Sequence, residues 1–238
     1  MRANYTHITV ILDRSGSMAS IKDDTIGGFN HFLQEQRQQP NHATMTLVQF
    51  DTQNPYEVLC HFVPLSEVVE LNNTNFVPRA GTPLLDALGR GIVDLDTQIA
   101  KMPDAERPEQ VVVLVITDGQ ENSSREFRHQ DIKNMIQQKQ DKQGWQFVFL
   151  SSDLSAIEDA ENTSFSYQSS MSFDKTGKGV RSAFQSTSQR MSALREKQAK
   201  RFEFLEEDRA AQTSEQLRQT KSSKHNTENS PETENPPN

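Results

Sequence analysis

The chain is short of several things, and each shortage narrows what it can be. Cys60 is its only cysteine, so no internal disulfide can form and nothing favours an oxidising compartment. No apolar run approaches the roughly 20 residues that a membrane-spanning helix needs, and the opening MRANYTH carries no apolar leader segment. A soluble, cytoplasmic protein is the expectation. Cations are in deficit, with 25 Lys and Arg against 33 Asp and Glu and a net charge of -8; nucleic acid and anionic membranes call for a basic surface, so neither is expected as a general partner. The six histidines are scattered, none of them beside a metal-type loop, which leaves little for metals that favour nitrogen and sulfur. A hydrophobic share of 33% over 238 residues is low for a wholly packed chain and suits one substantial domain plus extensions.

What is present centres on Ile8 to Met18, ITVILDRSGSM. An apolar run through Ile8, Val10, Ile11 and Leu12 stops at Asp13, and Ser15 and Ser17 follow with Gly16 between them. This reads as a buried strand with oxygen donors at its C-terminal tip. A carboxylate and two hydroxyls at alternate positions suit the hard ions Mg2+, Mn2+ or Ca2+ and offer little to Zn2+ or copper. The same residues serve equally well as turn and cap donors to backbone amides.

Two later stretches share that character. Ala80-Gly81-Thr82-Pro83-Leu84 reads as a loop opening a helix, with Thr82 at the N-cap and Pro83 in the first helical position. Val111 to Gly119, VVVLVITDG, is a second apolar run ending in an aspartate, Asp118, and a turn glycine. Asp13-x-Ser15-x-Ser17, Thr82 within AGTPL and Asp118 within VITDG together resemble the metal-ion-dependent adhesion site (MIDAS) of the von Willebrand factor A (vWA) family. DRSGSM and TDGQENSS look most like its stand-alone bacterial and phage members. AGT stands where GGT is common, and the threonine remains in place.

The resemblance covers about residues 5 to 195 and implies a three-layer, Rossmann-like, doubly wound α/β fold. Its sheet would be mainly parallel with one antiparallel edge strand, and helices would cover both faces. It implies that Ser15, Ser17 and Thr82 contact Mg2+ or Mn2+ (Ca2+ being possible), with Asp13 and Asp118 acting directly or through water. An unidentified partner protein would offer an Asp or Glu to the ion. Arg14, Met18, Arg79, Gln120, Glu121 and Asn122 flank these loops and are the candidate partner contacts. The family also implies coupling between binding and movement of the last helix.

Taken in order, the pattern predicts helices over about 18–39, 83–102, 127–139 and 177–193, an edge hairpin from 44 to 63, and strands at 111–117, 145–150 and 165–168. Strands alternating with helices imply parallel crossovers. Gly27 and Gly28 suggest close packing of the first helix on the sheet. DKTGKGV lacks the spacing of a phosphate-binding loop, so no nucleotide is expected. Residues 1–195 are read as the vWA domain, 196–211 as a charged, solvated helical extension whose Phe202, Phe204 and Leu205 offer a small docking face, and 212–238 as a disordered tail. The alternatives are a metal-dependent hydrolase of phosphoryl type and a structural subunit of a phage particle or assembly. A hydrolase would want a carboxylate two residues beyond Asp13, where Ser15 stands, and a lysine near the phosphate.

Overall fold

The structure is a computed structural model that describes residues 1–153, 156–158, 160 and 163–212. Its strands are β1 (Arg2–Asp13), β2 (His42–Phe50), β3 (Glu57–Pro64), β4 (Pro108–Thr117), β5 (Gln146–Ser151) and β6 (Ser170–Ser172). They form one sheet in the order β3-β2-β1-β4-β5-β6. All neighbouring pairs are parallel except β2 with β3, which is the expected antiparallel edge. The helices are α1 (Lys22–Gln38), α2 (Leu84–Lys101), α3 (His129–Gln143) and α4 (Gly177–Arg195). A 3-10 turn, Gly16–Ile21, leads into α1.

Side chains alternate across a strand with period two, and the two cores follow that alternation. Ile8, Val10 and Leu12 of β1, Val112, Leu114 and Ile116 of β4, and Val148 and Leu150 of β5 share a core with α1 and α4. Ile11, Val111, Val113, Val115, Phe147 and Phe149 point the other way, toward α2 and α3. A central strand covered on both faces must be apolar at every position, which is why VVVLVI is unbroken.

The last strand is β6 at Ser170–Ser172, not the expected 165–168, where a 3-10 turn at Tyr167–Ser169 intervenes. The third helix starts two residues later than its pattern suggests, with the Arg128 amide bonded to Asp131 at 2.9 Å as its cap. Gly28 does allow a close approach, but to α4 rather than to the sheet: a Cβ there would lie 2.3 Å from the Phe184 ring, whereas Gly27 faces open space.

The segment after α4 departs from the expected solvated helix. It is helical only over 206–212. Before that, Phe202 and Phe204 bury themselves in the α1/α4 core, with the Phe202 amide close to Gln146 and the Phe204 amide donating to Gln168 O at 2.8 Å. Arg190 of α4 pairs with Asp208 at 2.8 Å and Glu207 at 2.6 Å. The tail from 213 onward lies outside the described residues.

Candidate metal centre

The chain runs from β1 outward to β2 and later returns to lay β4 on the other flank of β1. Strand order reverses there, and ligands in doubly wound sheets collect beyond the strand C-termini at that reversal. Leu12 pairs with Ile116, so the tips carrying Asp13 and Asp118 are neighbours although they lie far apart in the chain.

Direct hydrogen bonds join four of the five expected donors. Ser15 Oγ and Ser17 Oγ are 3.0 Å apart, and Ser17 donates to Asp118 Oδ1 at 2.6 Å. Asp13 is fully buried; its Oδ1 accepts from the Ser15 amide at 2.6 Å and its Oδ2 from the Thr117 hydroxyl at 2.6 Å. Burial drives the Asp13 carboxyl up to about 6, opposed by the Thr117 and Ser15 hydrogen bonds and assisted by the charge of Asp118. Thr117 is the last residue of β4, and sequence reading passed over it. What places it there is the parallel register of β1 and β4, in which Leu12 faces Ile116 and the next residues are Asp13 and Thr117; no local pattern reports that register.

Thr82 is brought to the same rim by a different route. Backbone bonds stitch its loop to the first one, from the Gly16 amide to Ala80 O at 3.0 Å and from the Arg79 amide to Arg14 O at 2.8 Å. Ala80 takes a left-handed φ of 59° to make that turn. The Thr82 side chain is buried, and its hydroxyl forms no hydrogen bond to the other four donors among the described residues. It does not cap α2, whose N-cap position is Pro83 without a side-chain bond. The free amides at that helix start are met from the loop after Asp118: Glu121 accepts from the Leu85 amide at 2.9 Å and Ser124 from the Asp86 amide at 3.1 Å. Asn122 accepts from the Thr82 amide at 3.0 Å and donates its own amide to Thr82 O at 3.2 Å. The loop thereby welds the two metal-type segments together.

The candidate partner contacts separate into inner and outer groups. Met18 is wholly buried in the α1/α4 core, and the Arg14 side chain turns inward to pair with Asp51 at 2.7 Å and Glu57 at 2.5 Å. Neither is offered to a partner here. Arg79 is half-exposed and anchored through Nε to Asp51 at 3.0 Å. Gln120 and Asn122 are exposed, and Glu121 is half-buried by its capping bonds. Burial pushes the Asp51 carboxyl up, but its bonds from the Asn54 and Gln53 amides and from Arg79 and Arg14 outweigh that and hold it low. It is a structural anion beside the site, already neutralised by arginine.

One residue in the centre was not anticipated at all. Lys175, from the turn between β6 and α4, places its ammonium 2.5 Å from Asp118 Oδ2. That oxygen is buried and accepts no hydrogen bond of good geometry. It lies in DKTGKGV, which the sequence marks only as a stretch without the spacing of a phosphate-binding loop.

The donor set suits a hard divalent ion. All five expected donors are oxygen, no group of three or more His, Cys, Asp or Glu able to hold a metal ion occurs among the described residues, and the buried Asp118 Oδ2 has the Lys175 ammonium as its counter-charge. Hydroxyls would therefore have to supply much of the coordination, as they do in hard-ion sites built with few carboxylates.

No protein-family model matches the chain, and none of the curated proteins does. Solved structures do. Proximal thread matrix protein 1 from the mussel byssus matches 79% of the chain at 13% identity with a TM-score of 0.51, and one of its structures is described as having a zinc-occupied MIDAS motif. The pilus adhesin SpaC of Lactobacillus rhamnosus GG, in an open conformation, matches 81% of the chain at 11% identity with a TM-score of 0.59 and is covered over 30% of its own length. A von Willebrand factor type A structure from Catenulispora acidiphila matches 80% of the chain at 13% identity with a TM-score of 0.51, over 42% of its length. The chain spans 46% of the mussel protein. At these identities the likeness concerns the fold, which is vWA-like.

Proposed function

We propose that this chain is a divalent-metal-dependent protein-binding module of the MIDAS type, in which Asp13, Ser15, Ser17, Thr82 and Asp118 hold Mg2+ or Mn2+, with Ca2+ acceptable. An Asp or Glu of a partner protein is the ligand it recognises. The observation that carries this reading is the hydrogen-bonded run Ser15–Ser17–Asp118 beside Asp13 on adjacent strand tips, at the point where strand order reverses. When bound, the ion supplies a localised positive charge that draws in a carboxylate oxygen. The chain's own residues prepare for it. Thr117 and the Ser15 amide fix the Asp13 carboxylate in one orientation. The neutral hydroxyls of Ser15, Ser17 and Thr82 keep the donor charge low, so one more anionic oxygen remains welcome. Arg79, Gln120 and Asn122 stand on the exposed rim and discriminate among partners, since a single carboxylate carries little specificity. The vWA-like neighbours, an adhesin among them, support an interaction module.

A second reading is favoured by one observation. Lys175 at Asp118 resembles the lysine that a phosphoryl hydrolase wants near its nucleophilic aspartate. Against it, Asp13 is fully buried with both oxygens already engaged, and a nucleophile needs an accessible oxygen. Turnover of an aryl phosphate that is lost in Asp13→Asn would reverse this preference. A phage or assembly subunit would use the same chemistry and differ in sedimenting with particles.

The decisive experiment is thermal unfolding in EDTA and then in Mg2+, Mn2+, Ca2+ or Zn2+, for the wild type and Asp118→Ala. Binding to the native state raises stability by about 2.7 kcal/mol when metal is present at 100 times Kd, so a rise of several degrees is expected in the wild type alone. Absence of that rise, both with and without added acetate to complete the coordination, would sink the metal model.

A further inference from the structure

Among the described residues at the centre, Lys175 is one that the MIDAS reading does not use, and its backbone is held on both sides. On one side the Phe173 amide donates to Ser151 O at 2.9 Å, tying the turn to the tip of β5. On the other, Thr176 caps α4 by accepting from the Gly179 amide at 3.2 Å. Lys175 thus sits on the same rim as Asp118, with β5 between their strands, on backbone anchored at both ends. Its side chain is 38% exposed, so packing does not force it inward, and water was available to its ammonium instead. It reaches Asp118 Oδ2, on a carboxylate that also accepts from Ser17 through Oδ1.

We propose that Lys175 is a tethered competitor for the metal: its ammonium and the divalent ion contend for the same carboxylate of Asp118, so that loading the centre requires Lys175 to let go. This rests on the metal-binding reading above. The physical argument is electrostatic. Asp13 and Asp118 bring two carboxylates together at neighbouring strand tips, and a single positive charge on a flexible stem relieves their repulsion. A divalent ion does so more strongly but must first break a charge-assisted contact, and then tolerate an ammonium that its backbone anchors keep close by. Lys175 therefore sets the metal concentration at which the module becomes competent.

The test is calorimetric titration of the full chain with Mn2+, and separately with Mg2+, for the wild type, Lys175→Met and Lys175→Arg, together with melting in EDTA. Lys175→Met keeps the length of the stem and removes its charge. It should bind Mn2+ several-fold more tightly, at most about tenfold, because the contact that it deletes is partly exposed and screened. In EDTA it should melt below the wild type, because the carboxylates lose their counter-charge, and that difference should close at saturating metal, where the wild type has already given up the contact. Lys175→Arg should stay near wild-type affinity. Equal or weaker Mn2+ binding by a folded Lys175→Met would overturn the competition while leaving the metal site standing. If neither the wild type nor Lys175→Met bound any metal, both the competition and the reading on which it rests would fall together.

Discussion

At the scale of single residues, the Asp13 carboxyl gives the proposed metal binding a definite dependence on pH. Burial first, offset in part by the Thr117 and Ser15 bonds, raises it from 3.8 to about 6. Without metal, the protonated form is the one the fold prefers. That preference contributes stability below the unfolded value, and the contribution is lost as pH rises through about 6. Metal binding asks for the opposite, the carboxylate, so below pH 6 a proton must leave before the ion enters and affinity falls up to about tenfold per pH unit. The metal-induced rise in melting temperature should be full at pH 7.5 and about halved by pH 5 when scans are run in parallel with EDTA controls. A rise that stayed constant over that range would show that Asp13 is not among the groups the ion needs in charged form. The residue scale also shows where adjacency in sequence misleads. Arg14 and Met18 lie within the first metal loop, yet one is drawn into the Asp51–Glu57 cluster and the other into the core, because a side chain's direction depends on what waits on each side of the turn.

At the scale of elements, α1 and α4 approach closely at Gly28. The Phe184 ring occupies the space that a Cβ at position 28 would need. Gly28→Ala should therefore cost about 1–3 kcal/mol in denaturant unfolding, as overpacked cores do, despite the gain of about 1 kcal/mol in helix propensity. Replacing Phe184 with leucine in the same chain should recover part of the loss, and a strictly additive double mutant would refute the contact as its cause. The elements themselves were legible wherever local periodicity was strong, as in VVVLVI and the stripe of Leu84, Leu88, Ile92 and Leu95. Their ends were not. The start of α2 is capped by Glu121 and Ser124 from a distant loop, and no local pattern around Thr82 can report a donor that arrives from elsewhere in the chain.

At the scale of the whole molecule, the C-terminal segment belongs to the domain. Phe202 and Phe204 complete the α1/α4 core and stack edge to face at 5.1 Å, with the Arg190–Asp208 pair clamping the return. Phe202→Ala should destabilise the protein by about 3 kcal/mol or more, the usual result of emptying a buried aromatic site, and should lower the urea midpoint with little change in slope. An unchanged midpoint would mean that the segment is an appendage after all. Removal of everything after residue 197 would take these rings with it, so loss of metal binding in such a variant would report on stability rather than on coupling through α4.

The residues alone determined the alternation of strand and helix, the two buried strands that end in Asp13 and Asp118, and the oxygen-only character of the centre. All of these are carried by neighbours in the chain, whose periodicity and chemistry can be read locally. The tertiary structure decided what depends on distant segments meeting. It bonded Ser17 to Asp118, gave Thr117 its hold on Asp13, buried the aromatic pair of a segment that reads as charged and solvated, and sent Lys175 into the centre. Each is a contact across many residues of chain, chosen by which groups the folded sheet brings to one rim and by how the charges there can be balanced.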